Sequence, residues 1–271
     1  MSFLKNVVRA VSKPTLAWRY GAYLISLAMR GEAVRFVSNN LELAGFTGFS
    51  EYHTSAGAVS PREMTFLREY PFGEGEIIDV GANLGLVSLI LAARYSDRYI
   101  HAFEPNPSTA QSLRANVDRN ALQNVMVNQS AVGNETNTVQ FRGGDENRAT
   151  ARRVPNGESS TLTVPCTTLD KYVAERKISE IALLKVDVEG YETDVLHGCH
   201  NLLLEKRIGV VYFEVCPELE QEAGFEAGEA AHTLERVGYR LYRLGTGGSL
   251  VEVKSDQVGA VDLDNWVAVP T

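Results

Sequence analysis

Charged side chains crowd one short stretch of the chain, where they could move a proton. Lys185, Asp187, Glu189 and Glu192 directly follow an apolar run. Unpaired buried charge is costly, so such a group indicates either a reaction centre or a salt-bridged network that closes a sheet. Alternation along a strand places Lys185 and Asp187 on the same side.

Asp187 is therefore the first candidate for a general base or for the anchor of a substrate hydroxyl. Glu189 is a further candidate for that role, and so is Glu214, which follows another apolar run. Lys185 could tune the charge of either neighbouring carboxylate.

A glycine turn and an acid one strand later predict a nucleotide-sized ligand. Gly81 and Gly85 follow an apolar run and precede a helical pattern, while Glu104 ends the next apolar run. Glycine lets a ligand approach the backbone, the following helix offers N–H groups to a carboxylate, and an acid can accept both ribose hydroxyls. The turn lacks the middle glycine of the GxGxxG fingerprint, which admits a pyrophosphate. S-adenosylmethionine, which has no phosphate, is the expected cofactor.

Further candidates for the same ligand follow other predicted strands. Asp79 would lie under the glycine turn, where it could brace the loop or approach the ammonium group of the cofactor, and both roles stay open. Ser130, Ala131 and Val132 follow the third predicted strand, where small residues could let an adenine lie flat. A buried turn is the alternative for these three residues.

The elements that must position these residues alternate between strand and helix from Glu76 onward. This pattern predicts a parallel sheet with helices on both faces, whose ligands gather at the carboxyl ends of the strands. The predicted strands are Glu76–Val80, Tyr99–Phe103, Val125–Gln129, Ile181–Asp187, Val210–Val215, Tyr239–Leu244 and Trp266–Val269.

Two segments depart from the alternation. Between residues 133 and 167, short strand-like runs flank a polar stretch, which predicts an inserted β-hairpin with a long connection. Residues 1–62 form an N-terminal extension, of which Glu51–Pro61 reads as a loop before a helix that starts at Ser60 and Pro61. His53 and Asn147, in the two loops expected to border the pocket, are candidate substrate contacts; simple exposure is the alternative for His53.

Composition excludes several classes of function. The 271 residues carry a formal net charge of −8, which argues against binding to a nucleic-acid backbone. The three cysteines are too few and too scattered for a zinc site, and the histidines have no metal-ligand spacing, so no metal is expected. No run reaches the ~18 apolar residues of a membrane span, and no signal peptide is evident, which favours the cytoplasm. The basic, amphipathic segment Met1–Arg30 is expected to form one or two helices that pack on the core or on a second subunit, with contact to a membrane surface as the alternative.

Four stretches resemble the FkbM family of class I S-adenosylmethionine-dependent methyltransferases. They are Ile78-Asp79-Val80-Gly81-Ala82-Asn83-Leu84-Gly85, Ala102-Phe103-Glu104-Pro105-Asn106-Pro107, Thr167-Thr168-Leu169-Asp170 and Leu184-Lys185-Val186-Asp187-Val188-Glu189-Gly190-Tyr191-Glu192. The resemblance implies a seven-stranded, mostly parallel Rossmann-like sheet in residues 63–271. It adds Asn83 and Asn106 to the cofactor-binding residues.

The same resemblance implies O-methylation of a hydroxyl on a small molecule, sugar or glycan. A dehydrogenase or epimerase that binds a nucleotide is the second hypothesis, which the missing middle glycine opposes. A cofactor-binding module without catalysis is the third, and the charged strand end opposes it.

Overall fold

The computed structural model describes residues 14–37, 40–55, 59–142, 152–153 and 162–271. These residues form one large sheet, two small sheets, and helices that cover both faces of the large sheet. The helices are α1 (Pro14–Arg30), α2 (Phe49–Thr54), α3 (Pro61–Glu69), α4 (Leu86–Arg94), α5 (Pro107–Arg119), α6 (Leu169–Arg176), α7 (Glu192–His197), α8 (His200–Leu204), α9 (Pro217–Glu222) and α10 (Glu229–Arg236). The strands are β1 (Arg35–Phe36), β2 (Glu42–Leu43), β3 (Glu76–Val80), β4 (Ile100–Phe103), β5 (Val125–Asn128), β6 (Ala131–Val132), β7 (Asn137–Arg142), β8 (Arg152–Arg153), β9 (Leu162–Thr167), β10 (Ile181–Val186), β11 (Val211–Val215), β12 (Tyr239–Leu244), β13 (Leu250–Val253) and β14 (Asp264–Pro270).

The large sheet confirms the α/β prediction. Its order is β13-β12-β14-β11-β10-β3-β4-β5. The run from β11 to β5 is parallel, and β14, β12 and β13 are antiparallel additions at one edge. The predicted strands are all present, but the sheet has eight strands rather than seven. The extra strand, β13, is a short edge strand whose sequence Leu-Val-Glu-Val lacks a regular alternation of apolar and polar residues.

The order of the strands reverses between β3 and β10. From β3 the chain continues outward to β4 and β5, and it later returns to place β10 and β11 on the other side of β3. In open parallel sheets, ligands bind at the carboxyl ends of the strands next to such a reversal. Gly81 follows β3 and Asp187 follows β10, so the two main candidate motifs meet at this point.

The predicted hairpin is confirmed. Strand β7 pairs antiparallel with β9, with Gln140 opposite Thr163. Strand β6 adds to β9 and strand β8 adds to β7, which makes a four-stranded sheet in the order β6-β9-β7-β8. Most of the connection between β7 and β9 lies outside the described residues.

Aromatic side chains pack the two helices α1 and α2 of the N-terminal extension against each other. Tyr20 of α1 meets Phe49 of α2 at a ring distance of 4.7 Å, and Tyr23 meets Tyr52 at 5.3 Å. The interpretation of Glu51–Pro61 as a loop was wrong at its start, because α2 extends from Phe49 to Thr54. Six residues are too few for a helical period to stand out.

Helix α3 begins where the sequence predicts. Ser60 accepts a hydrogen bond from the backbone N–H of Glu63 at 3.4 Å, and the Glu63 carboxylate accepts one from the backbone N–H of Ser60 at 2.7 Å. Pro61 occupies the first turn. This reciprocal cap fixes the entry of the chain into the sheet domain.

The outer side of α1 presents apolar residues to solvent. Trp18, Ile25 and Met29 are exposed there, opposite the tyrosines that face α2. Contact of this segment with a membrane or with a second subunit stays a prediction. None of the described helices combines the length and the apolar character that a bilayer crossing requires.

Candidate active site

A cleft opens at the carboxyl ends of β3, β4 and β10. It brings together predicted cofactor and catalytic residues from four separate parts of the sequence. Those that line it are Gly81, Asn83, Glu104, Ser130, Ala131, Val132, Asp187 and Glu189. Phe141 and Tyr191 also line it, and sequence reasoning did not single them out. The position of Tyr191 between Glu189 and Glu192 could have indicated its place in the cleft, whereas nothing in the sequence indicated that of Phe141.

The glycine turn forms the floor of this cleft. Gly81 has a φ of 78°, and a Cβ atom at this position would lie 1.8 Å from the carbonyl oxygen of Asp187. No side chain fits there, so the backbone itself faces the ligand. Asn83, with a φ of 49°, continues the turn in the left-handed region.

Gly85 allows close packing between two helices and does not face the cleft. A Cβ atom at Gly85 would lie 2.3 Å from the side chain of Leu113 on α5. Gly85 was predicted to contact the cofactor, but it is not among the residues that line the cleft. Its glycine lets α4 begin close against α5.

Glu104 is held by backbone hydrogen bonds. Its carboxylate accepts from the N–H of Asn83 at 3.0 Å and from the N–H of Asn106 at 2.9 Å, one bond to each oxygen. Burial raises the pKa of Glu104 to about 7, although these two hydrogen bonds oppose the shift. Each carboxylate oxygen keeps capacity for another donor, so the group can still accept the two hydroxyls of a ribose.

The side chain of Asn106 caps a helix. Its Oδ1 accepts from the backbone N–H of Ser108 at 3.0 Å and of Thr109 at 3.3 Å, at the start of α5. Asn106 does not line the cleft, and it reaches the cofactor site only through its backbone bond to Glu104. Its position therefore favours a positioning role.

Asp79 is fully buried beneath the turn. It accepts a hydrogen bond from the Ser88 hydroxyl at 2.6 Å and forms an ion pair with Lys185 at 3.3 Å. Of the two roles left open by the sequence, these contacts favour bracing of the loop. Asp79 lines neither the cleft nor the neighbouring cavity.

Lys185 connects the glycine turn to Asp187 at the end of β10. Its ammonium group lies 3.2 Å from Asp187 Oδ2 and 3.3 Å from Asp79 Oδ1, and it donates to the Gly81 carbonyl at 3.0 Å. Burial alone would lower the pKa of Lys185, but the carboxylates of Asp187 and Asp79 raise it above its usual value. Lys185 is therefore charged and fixes the position of Asp187, which remains partly exposed to the cleft.

Glu189, Glu192 and Glu214 add negative charge near Asp187. Glu189 has a φ of 56°, in the left-handed region, and lines the cleft. Glu192 is buried and accepts from the Val188 N–H at 2.7 Å, and burial raises the pKa of Glu192 to about 8. Burial, together with the charges of Asp187, Glu192 and Glu189, raises the pKa of Glu214 to about 9.

The raised pKa favours the protonated form of Glu214, which could donate a hydrogen bond rather than take a proton. Its Oε2 atom is shielded from solvent and has no hydrogen-bond partner among the described residues. Glu214 does not line the cleft, so a direct role as base is less well supported by its position than that of Asp187.

Of the two candidate substrate contacts, His53 does not line the cleft. His53 lies on α2, where its ring stacks on Phe49 at 5.8 Å and Nδ1 is 3.3 Å from Arg19. Asn147 lies outside the described residues. In the part of the chain that the structure covers, no group of three or more histidine, cysteine, aspartate or glutamate side chains could hold a metal ion.

Comparison with known proteins connects this geometry to a family. The sequence model of the methyltransferase FkbM domain matches residues 79–241. The chain is 30% identical over 157 residues to the 31-O-demethyl-FK506 methyltransferase FkbM of Streptomyces tacrolimicus, with 46% of this chain and 59% of that protein covered. It is 29% identical over 125 residues to the hexuronic acid methyltransferase AglP of Haloferax volcanii, with 46% of this chain and 50% of that protein covered.

The chain thus spans only about half the length of these curated relatives. Among solved structures, an O-methyltransferase from Bacillus cereus in complex with SAH is similar at 17% identity and a TM-score of 0.46. The similarity covers 79% of this chain and 82% of that one.

Proposed function

The chain belongs to the FkbM family of S-adenosylmethionine-dependent methyltransferases, and from that premise we propose that it methylates a hydroxyl group on a sugar or natural product. The cofactor predicted from the glycine turn and Glu104 is thereby confirmed. The hydroxyl acceptor is supported by the name of one relative, a 31-O-demethyl-FK506 methyltransferase, and the sugar by the name of the other, a hexuronic acid methyltransferase.

The cleft fits the cofactor. Gly81 leaves room where a side chain would collide with the Asp187 backbone, and Glu104 presents a fixed carboxylate toward the same space. When bound, S-adenosylmethionine supplies an electrophilic methyl group. The small residues Ser130 and Ala131 would border the adenine, and Glu104 would accept the ribose hydroxyls.

One observation carries the proposed chemistry: Asp187 borders the cleft beside the glycine turn, with Lys185 3.2 Å from its Oδ2. An alcohol must lose its proton as it attacks, and a carboxylate fixed next to the methyl donor can accept that proton. Lys185 restricts the orientation of the carboxylate. The remaining acceleration comes from holding the hydroxyl in line with the methyl group.

The replacement of Asp187 by asparagine tests this assignment. Asp187→Asn keeps the shape and removes the base, so turnover should fall about 10²- to 10⁴-fold while affinity for S-adenosylhomocysteine changes little. Transfer of a radiolabelled methyl group to a panel of sugars and of natural products that carry hydroxyl groups measures turnover, and calorimetry measures binding.

Asp97→Asn, in an exposed loop at the opposite end of the sheet, is the matched control. Near-normal turnover of Asp187→Asn would remove it as the base. Failure of the unaltered protein to bind S-adenosylhomocysteine would reject the methyltransferase function as a whole.

A further inference from the structure

A second cavity lies on the other side of the glycine turn from the cleft. One wall is the turn and the first residues of α4, and the other is α2 with the residues that follow it. The cavity shares Gly81, Asn83 and Asp187 with the cleft, so the two spaces meet at the turn. We propose that this cavity receives the methionine half of the cofactor and that Glu51 of α2 binds its ammonium group; the proposal rests on the proposed function.

The position of the cavity follows from the length of the ligand. Glu104 and the small residues 130–132 occupy the far side of the cleft, where ribose and adenine would lie. The amino-acid end must then extend past Gly81 and Asn83, which are the residues that the two spaces share. Beyond them lie the cavity and Glu51.

Glu51 has one carboxylate oxygen fixed and one without a partner. Oε2 accepts from the Thr47 backbone N–H at 2.7 Å and from the Thr47 hydroxyl at 2.8 Å. Oε1 is shielded from solvent, and no hydrogen-bond donor among the described residues reaches it. A buried acceptor without a donor carries a desolvation cost, which a cationic ligand would remove.

No other described residue that lines the cavity supplies that cation. Lys185 also lines it, but its ammonium already faces Asp79, Asp187 and the Gly81 carbonyl. The hydroxyls of Thr54 and Ser55 donate to backbone carbonyls of α2 at 3.1 Å and 2.8 Å. Since Lys185 already faces two carboxylates, no described cation on the cavity wall remains to balance the charge of Glu51.

This assignment replaces one of the roles considered for Asp79. The sequence offered Asp79 as a partner for the cofactor's ammonium, but Asp79 is occupied by Ser88 and Lys185 and is shut off from both spaces. Glu51 has the same chemical character, a free acceptor oxygen and a place on the cavity wall.

Calorimetric titration with two ligands tests the proposal. S-adenosylhomocysteine carries the amino-acid group, whereas 5′-methylthioadenosine has the same adenosine and sulfur without it. Glu51→Gln should weaken S-adenosylhomocysteine about ten- to a hundredfold, the range for a hydrogen bond to a charged group. The affinity of Glu51→Gln for 5′-methylthioadenosine should stay within about twofold of that of the unaltered protein. The control Glu74→Gln, in an exposed loop, should leave the affinities for both ligands within the same range.

A second experiment changes the ligand instead of the protein, so its result does not depend on whether the Glu51→Gln variant folds normally. An S-adenosylhomocysteine analogue without the amino group should bind the unaltered protein about as weakly as S-adenosylhomocysteine binds Glu51→Gln, and the variant should weaken this analogue no further. Equal losses for all ligands, or no loss for S-adenosylhomocysteine, would overturn the role of Glu51. Both results differ from failure of the proposed function, in which the unaltered protein binds no S-adenosylhomocysteine.

Discussion

Replacement of Lys185 by methionine should destabilise the protein strongly, although the two side chains have similar length and bulk. Lys185 is the only described cation within ion-pair distance of Asp79, which is fully buried. Removing one partner of a buried pair leaves the other charge uncompensated, at a cost of about 3–5 kcal/mol. The hydrogen bond to the Gly81 carbonyl, worth about 1 kcal/mol, is lost as well.

Urea unfolding at pH 7 measures this loss, and a double variant identifies its cause. Asp79→Asn in the Lys185→Met background removes the uncompensated charge of Asp79 and keeps an acceptor for the Ser88 hydroxyl. It should therefore recover about half of the lost unfolding free energy. Lys171→Met, which breaks an exposed pair with Glu175 at 3.9 Å, should cost less than about 0.5 kcal/mol. The reasoning is refuted if Lys185→Met costs under about 1 kcal/mol, or if Asp79→Asn deepens the loss.

Two further predictions concern the raised pKa values of buried carboxyls. Because the pKa of Glu104 is about 7 and the ionised form accepts hydroxyl donors better, affinity for S-adenosylhomocysteine should rise about tenfold between pH 6 and pH 8, and Glu104→Gln should abolish that rise. Calorimetry at several pH values measures it; a flat profile for the unaltered protein would contradict the idea. Glu214, with a pKa of about 9, binds its proton more tightly in the folded than in the unfolded state, so its contribution lowers stability as pH rises from about 4.5 to 9. Glu214→Gln should therefore reduce the fall in unfolding free energy between pH 7 and 9, and an unchanged slope in urea titrations would count against it.

The elements that the sequence predicted well are those with long patterns or special turns. Strand β3 and the glycine turn after it combine a buried apolar run with residues that must adopt positive φ, so the bounds of the strand and the position of the turn could be predicted. The position of Glu104 at the same edge of the sheet could be predicted too, since it follows the next strand.

The features that were missed depend on contacts between distant parts of the chain. Helix α2 has no period that its short length could reveal, so Glu51 could not be placed beside the glycine turn. Whether Asp79 faces a ligand or Lys185 is decided by pairing between β3 and β10, which opposes Asp79 and Lys185. Phe141 reaches the cleft only because β7 folds back in the small sheet.

The close approach of Gly81 to Asp187 has a consequence for how relatives of this protein can diverge. The Asp187 N–H donates to the Val80 carbonyl at 3.1 Å, and its own carbonyl fills the space that a Gly81 side chain would need. In the proposed mechanism, main-chain register would therefore set the distance between the methyl donor and the Asp187 carboxylate, and ordinary side-chain substitutions would not change it. A one-residue deletion within β10 would turn Asp187 to the opposite face of the sheet, so new acceptors should be accommodated by changes in the loops and the small sheet rather than in these two strands.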